Sequence, residues 1–174
     1  MAVKQWAVGD VLSASDMNVW TVPVFASKPS NTSRNSTTTV SDDPDLFLPV
    51  AAGATYVVTG VIFYDGPAAG TGDIKWTFTV PSGATGQYQM IHQNISGNTA
   101  GMWQVNWTDG PNLVTTQANA QGLGSPNVLA MTLNGLLVTG GSAGNLQWRW
   151  AQNTSNGTNT RVYNQSYLCA QRVG

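Results

Sequence analysis

The chain contains no glutamate at all, one cysteine and one histidine among 174 residues. Charged side chains make up 9 % of it, where a soluble domain usually carries ~25 %. Seven basic and eight acidic groups leave a net charge of −1. Without a basic excess there is nothing to neutralise phosphates, so nucleic acid is excluded as a partner. A lone cysteine excludes a disulfide scaffold, and one His with one Cys excludes a zinc site. No apolar run approaches the ~20 residues of a membrane span. The first eight residues hold one lysine and no apolar stretch of signal-peptide length, so synthesis in a cytoplasm without an export signal is expected. Disorder is excluded as well, since 41 % of the chain is apolar and the net charge is near zero.

What replaces charge is neutral polarity. There are 20 Thr, 15 Asn, 13 Ser and 11 Gln, about a third of the chain. Such a surface is typical of proteins that work outside cells. Combined with the missing export signal, it suggests release by lysis and hints at a virus particle. Plentiful Thr, Val and Gly with scarce Lys argue against a helical protein.

Residues 1–21 differ from the rest. Gly9-Asp10 is a turn signal. Ser13 with Asp16 three residues on resembles a capping box and predicts one or two helical turns. Trp6, Leu12, Met17 and Trp20 are too many large apolar groups for a free tail, so this segment is expected to dock against its own domain, a sister subunit or a larger assembly.

From Thr21 onward the texture is β, with turn clusters every ~10 residues as in a sandwich or barrel. The expected strands are Val22–Ala26, Ser36–Val40, Leu46–Val50, Tyr56–Tyr64, Ile74–Val80, Gln87–His92, Met102–Trp107, Leu113–Gln117, Val128–Val138, Asn145–Ala151 and Ser166–Val173. Alternation puts Trp76, Phe78 and Val80 on one face, and likewise Trp103, Val105 and Trp107, and Leu146, Trp148 and Trp150. One apolar and one solvated face per strand is what two packed antiparallel sheets require. Tyr56–Tyr64 is apolar almost throughout, which predicts cover on both faces, with a subunit interface as the second cover.

Catalytic chemistry has little to work with. His92 shares a face with Tyr88 and Met90 and reads as a core-edge or interface histidine. Asp42, Asp43 and Asp45 form the only acid cluster. They could offer oxygens to a cation, yet Asp with Pro44 is ordinary turn chemistry. Cys169, alternating with Tyr167 and Gln171, reads as a small buried hydrophobe. The tryptophans on apolar strand faces read as core before sugar platforms. With no Gly-rich phosphate loop and no carboxylate pair at a cleft, neither an enzyme nor a cofactor is expected.

The segment Gly9-Asp10-Val11-Leu12-Ser13-Ala14, followed by Met17-Asn18, resembles the short N-terminal arm of tailed-phage virion proteins. The stretches Asp42–Leu46, Val50–Tyr56, Asp73–Phe78 with Pro81–Ala84, and Gly144–Ser155 are similar to small virion proteins from phages and prophages of actinobacteria. That resemblance implies an all-β, antiparallel two-sheet jelly-roll sandwich over residues 22–174, like that of tumour-necrosis-factor-type trimers, behind a docking arm at 1–21. It also implies a homotrimer, with Tyr56, Val58, Ile62, Tyr64 and Tyr167 as the expected interface. The partner at the virion surface would be the phage major capsid protein or a tail protein. Two roles follow: capsid decoration or head-fibre knob, or a tail-tip or tail-fibre module recognising host cell-wall carbohydrate. No nucleic-acid or membrane partner is expected in either.

Overall fold

The computed structural model describes residues 6–11, 13, 14, 16, 17, 22–68, 73–94, 99–106 and 118–174; for 93, 94, 99–106 and 118 it describes the backbone. Among the described residues twelve strands form. They are β1 (Val24–Ser27), β2 (Thr32–Arg34), β3 (Ser41–Val50), β4 (Thr55–Asp65), β5 (Ile74–Thr79), β6 (Thr85–Asn94), β7 (Thr99–Asn106), β8 (Ala118–Ala120), β9 (Leu129–Val138), β10 (Gly144–Gln152), β11 (Thr160–Val162) and β12 (Tyr167–Arg172). They make two antiparallel sheets. The larger runs β1-β12-β4-β9-β6-β7, with β11 and β2 paired beside β4; the smaller runs β3-β10-β5-β8. The chain is therefore an all-β sandwich of jelly-roll type.

The core lies between the sheets because each strand alternates. Trp76, Phe78, Leu146, Trp148 and Trp150 from the smaller sheet are fully buried, as their periodicity predicts. Trp76 stacks on Trp148 with ring centroids 5.9 Å apart, and Phe78 meets Trp148 edge-on at 5.1 Å. From the larger sheet come Tyr56, Val58, Ile62, Tyr64, Met90, Met131 and Leu168, all buried. Burial raises the pKa of the Tyr64 and Tyr88 phenols well above the usual range, since the phenolate would lose its water.

Several sequence expectations are revised. The polar run 36–40 is no strand: Ser36 has a φ of 52°, and Thr39 donates its amide to Thr37 Oγ1. The two short strands β2 and β11 carry too few residues to show a period. Leu113–Gln117, Leu12, Trp20 and Trp107 lie outside the described residues, as do the side chains of Trp103 and Val105. The acid run expected as a turn lies within β3. Proline is tolerated there because β3 is an edge strand. The register with β10 jumps from Phe47 opposite Gln147 to Asp42 opposite Arg149. The residues between them therefore bulge, and within the bulge Asp43 Oδ1 accepts the amides of Asp45 and Leu46. The turn chemistry is real, but it is folded into a strand.

Two glycines let strands approach closely. A Cβ on Gly60 would lie 2.7 Å from the Tyr167 carbonyl oxygen, and one on Gly135 would lie 2.7 Å from Tyr88 Cβ. Gly135→Val should therefore destabilise the domain by about 1–3 kcal/mol through overpacking. Chemical denaturation read by tryptophan fluorescence measures it; an unchanged midpoint would show that the sheet yields at this point.

Candidate functional site

Near the N-terminus the local turn chemistry follows the sequence. Asp10 Oδ2 accepts the Ala7 amide at 2.8 Å, and the Asp10 amide donates to the Ala7 carbonyl at 3.1 Å, closing the Gly9-Asp10 turn. Ser13 Oγ accepts the Asp16 amide at 3.1 Å and donates to Asp16 Oδ2 at 2.7 Å. The Met17 amide reaches the Ser13 carbonyl at 3.1 Å, giving one capped helical turn. Trp6 and Met17 remain 40 % and 43 % exposed.

The interface residues expected on β4 are placed differently. Tyr56, Val58, Ile62 and Tyr64 are at most 4 % exposed within a single chain and fill its core. Their subunit-contact reading is corrected to a core role, because the strand alternates and these are its inward set. The outward set is Thr55, Val57, Thr59, Val61 and Phe63, half-buried except for the exposed Val57. Tyr167 does lie on this outer side, half-buried, with Phe25 stacked on it at 5.4 Å. The strand most thoroughly covered on both faces is β5, where Lys75 and Thr77 are buried opposite Trp76 and Phe78. Burial lowers the pKa of the Lys75 ammonium.

The pairing register shows what the outer face of the larger sheet presents. One row reads Phe25, Cys169, Thr59, Asn134 and Gln89 across β1, β12, β4, β9 and β6. The next reads Ser27, Tyr167, Val61, Thr132 and Ile91. On the other side lie Gln171, Val57, Leu136 and Gln87, then Thr55, Val138 and Thr85. No side chain in these rows is charged. Phe25, Val57, Ile91, Leu136 and Val138 are between 37 % and 59 % exposed. Five strands ~4.8 Å apart and four rows ~6.8 Å apart give a patch of about 20 Å by 20 Å. Charge depletion with aromatic and aliphatic side chains is the composition of an interface core. The smaller sheet contrasts with it: its outer side carries the Arg149–Asp42 ion pair at 2.7 Å. Sequence alternation locates the outer faces but cannot say which of two apolar sets on β4 turns inward. Cys169 is revised from buried to half-buried on this face.

The remaining polar candidates are absorbed by structure. His92 is 7 % exposed on the core side, its ring edge-on to Trp76 at 6.0 Å. Asp43 and Asp45 both bind the Lys28 ammonium, at 2.9 and 2.8 Å, so a lysine stands where a cation was considered. Among the described residues no group of three or more His, Cys, Asp and Glu is placed to hold a metal. Asp65, fully buried, accepts Arg161 at 2.9 Å and the Tyr163 hydroxyl at 2.8 Å. That hydrogen bond raises the pKa of the Arg161 guanidinium. A cavity of about 200 Å³ lies where β1 emerges, lined by Val22, Val24, Pro49, Ala51, Tyr56, Ala170 and Arg172.

No protein-family model matches the chain, and no curated protein does. Among solved structures it is similar to the infectious bursal disease virus VP2 subviral particle, at 9 % identity and a TM-score of 0.21. It is also similar to the structure of the Gx strain of that virus, at 9 % identity and a TM-score of 0.25. Each likeness covers 88 % of this chain and 37 % of the other, so the chain spans little more than a third of their length. Likenesses of this size carry no argument about function.

Proposed function

We propose that the protein is a non-enzymatic structural component of a tailed-phage virion. It assembles as a homotrimer through the outer face of the larger sheet and attaches by its N-terminal arm as a capsid decoration or head-fibre knob. The observation that carries the assembly is the face itself, free of charge and with Phe25, Val57, Ile91, Leu136 and Val138 exposed on it, on a chain whose other surfaces bear ion pairs. Cyclic symmetry uses one such patch repeatedly and closes the assembly. A patch of about 400 Å² is roughly half of what one partner gives to a standard interface. In a ring each subunit contributes this patch and the surface opposite it.

The arm supplies attachment. Trp6 and Met17 are exposed within the single chain. They carry the apolar area that a docking contact with a capsid or tail protein would bury. Deleting residues 1–20 should leave a folded, soluble oligomer that no longer co-purifies with particles. Retention of the truncated protein on particles, or its unfolding, would overturn the arm's role. Counting copies per purified particle by quantitative mass spectrometry tests the site of attachment. Hundreds of copies support capsid decoration, and a handful overturns it in favour of the tail-tip module.

A further inference from the structure

Lys28 is among the largest fully buried side chains of the domain, with its ammonium sealed from solvent. Its Nζ lies 2.9 Å from Asp43 Oδ1 and 2.8 Å from Asp45 Oδ2. The backbone fixes it from both sides: the Lys28 amide donates to the Ser166 carbonyl and the Gln165 amide to the Lys28 carbonyl. The two carboxylates are not equivalent. Asp43 is fully buried, with Oδ1 accepting two backbone amides besides Lys28 and Oδ2 accepting Trp150 Nε1 at 3.0 Å. Four donors fix it in place. Asp45 is one-quarter exposed and open on one side.

We infer that Lys28 and Asp45 form an intramolecular amide cross-link, with Asp43 as the general base. Asp43 takes a proton from the Lys28 ammonium, and the freed amine attacks Asp45 Cγ. Asp43 then passes that proton, and a second one from the nitrogen, to the departing Asp45 oxygen. The N–C bond forms, a C–O bond breaks, and one water leaves by the exposed side of Asp45. Ammonium plus carboxylate becomes amide plus water, so atoms and charge balance with no other reactant. Two effects favour the step. The reacting groups are held at contact distance, as in fast intramolecular reactions. The product also replaces a buried ion pair, costly to desolvate, with a neutral amide. Lys28 follows β1, the edge of the larger sheet, and Asp45 sits in β3, the edge of the smaller. The bond would staple the two sheets along one side of the sandwich. This inference is independent of the assembly reading.

Mass spectrometry of the purified full chain decides it. Trypsin cuts after Lys4, Arg34 and Lys75 but not between Lys28 and Pro29. The cross-link predicts that Gln5–Arg34 and Asn35–Lys75 stay joined, one water lighter than their sum, with fragment ions placing the bridge at Lys28 and Asp45. Two separate peptides from the wild-type protein would overturn the proposal outright, whatever the variants do. Loss of water without joined peptides, as from a succinimide at Asp65-Gly66, would overturn it equally. Lys28→Met and Asp45→Ala should each release two separate peptides. Asp43→Asn should form the link on the order of 100-fold more slowly during refolding.

Discussion

Leu136→Asp should convert the assembled protein into a folded monomer. Leu136 is 45 % exposed within one chain and pairs across the sheet with Val57 and Gln87. In the single chain an aspartate there keeps its water, and the loss is limited to its poor strand propensity, within ~1 kcal/mol. In an assembly closed over this face the same carboxylate loses its water, and its neighbours Val57 and Gln87 offer no counter-charge. An unpaired buried charge costs several kcal/mol, and a closed ring repeats that cost at every contact. Light scattering at micromolar concentration should report one chain of 18.4 kDa for the variant and three for the wild type. Cys169, the only cysteine and half-buried on the same face, gives a second readout. A maleimide should label it faster in the variant. Because the face is neutral, the wild-type assembly should survive roughly molar salt, where charge-driven contacts weaken. A wild-type monomer, or a variant still assembled, would remove this face from the account.

Trp150→Ala should sharply lower the melting temperature of the protein. The indole is fully buried and does three things at once. It fills the core beneath β10, donates Nε1 to the buried Asp43 carboxylate at 3.0 Å, and lies under the Arg34 guanidinium at 4.1 Å. Arg34 also donates to the Trp150 carbonyl, tying β2 to β10. Truncating a core tryptophan costs about 3–5 kcal/mol, a large share of the 5–15 kcal/mol that a domain has in total. A loss of ~4 kcal/mol lowers the melting temperature by roughly 8–16 °C in a chain of this size. Trp150→Phe keeps most of the packing and removes the donor, so it should cost about 1.5–3 kcal/mol, the range for a hydrogen bond to a charged group. Calorimetry on both variants separates packing from the hydrogen bond. Equal losses would show that the Asp43 contact carries all of the effect.

Periodicity made most of this fold legible. Trp76-x-Phe78 and Leu146-x-Trp148-x-Trp150 announce strands and their inner faces, because only alternation puts such volume on one side. The arm's capped turn was legible because Ser13 and Asp16 are local. Long-range pairing was not. Nothing at Lys28 signals that Asp43 and Asp45, fifteen and seventeen residues on, will close around it. The acid run therefore read as a turn or a cation site. β4 misled for a different reason: both of its sides carry Val, Ile, Phe or Tyr. Composition could not say that Tyr56, Val58, Ile62 and Tyr64 turn inward, nor that Val57 and Val61 turn outward. The candidate surface emerges only from the register, which sets Phe25 beside Cys169 and Tyr167 beside Val61.

The position of Lys28 decides how the domain bears a pull. Tension applied through the arm enters at Val22 and runs first into β1, which is held along one side by β12. Unsupported, so short an edge strand would peel away under load and expose the core it borders. Lys28 stands at the far end of that strand, clasped to β3 of the opposite sheet. Force is thus handed to both sheets before it reaches β4 or the core tryptophans. Only the first strand feels it undivided, and the domain behind it can stay rigid.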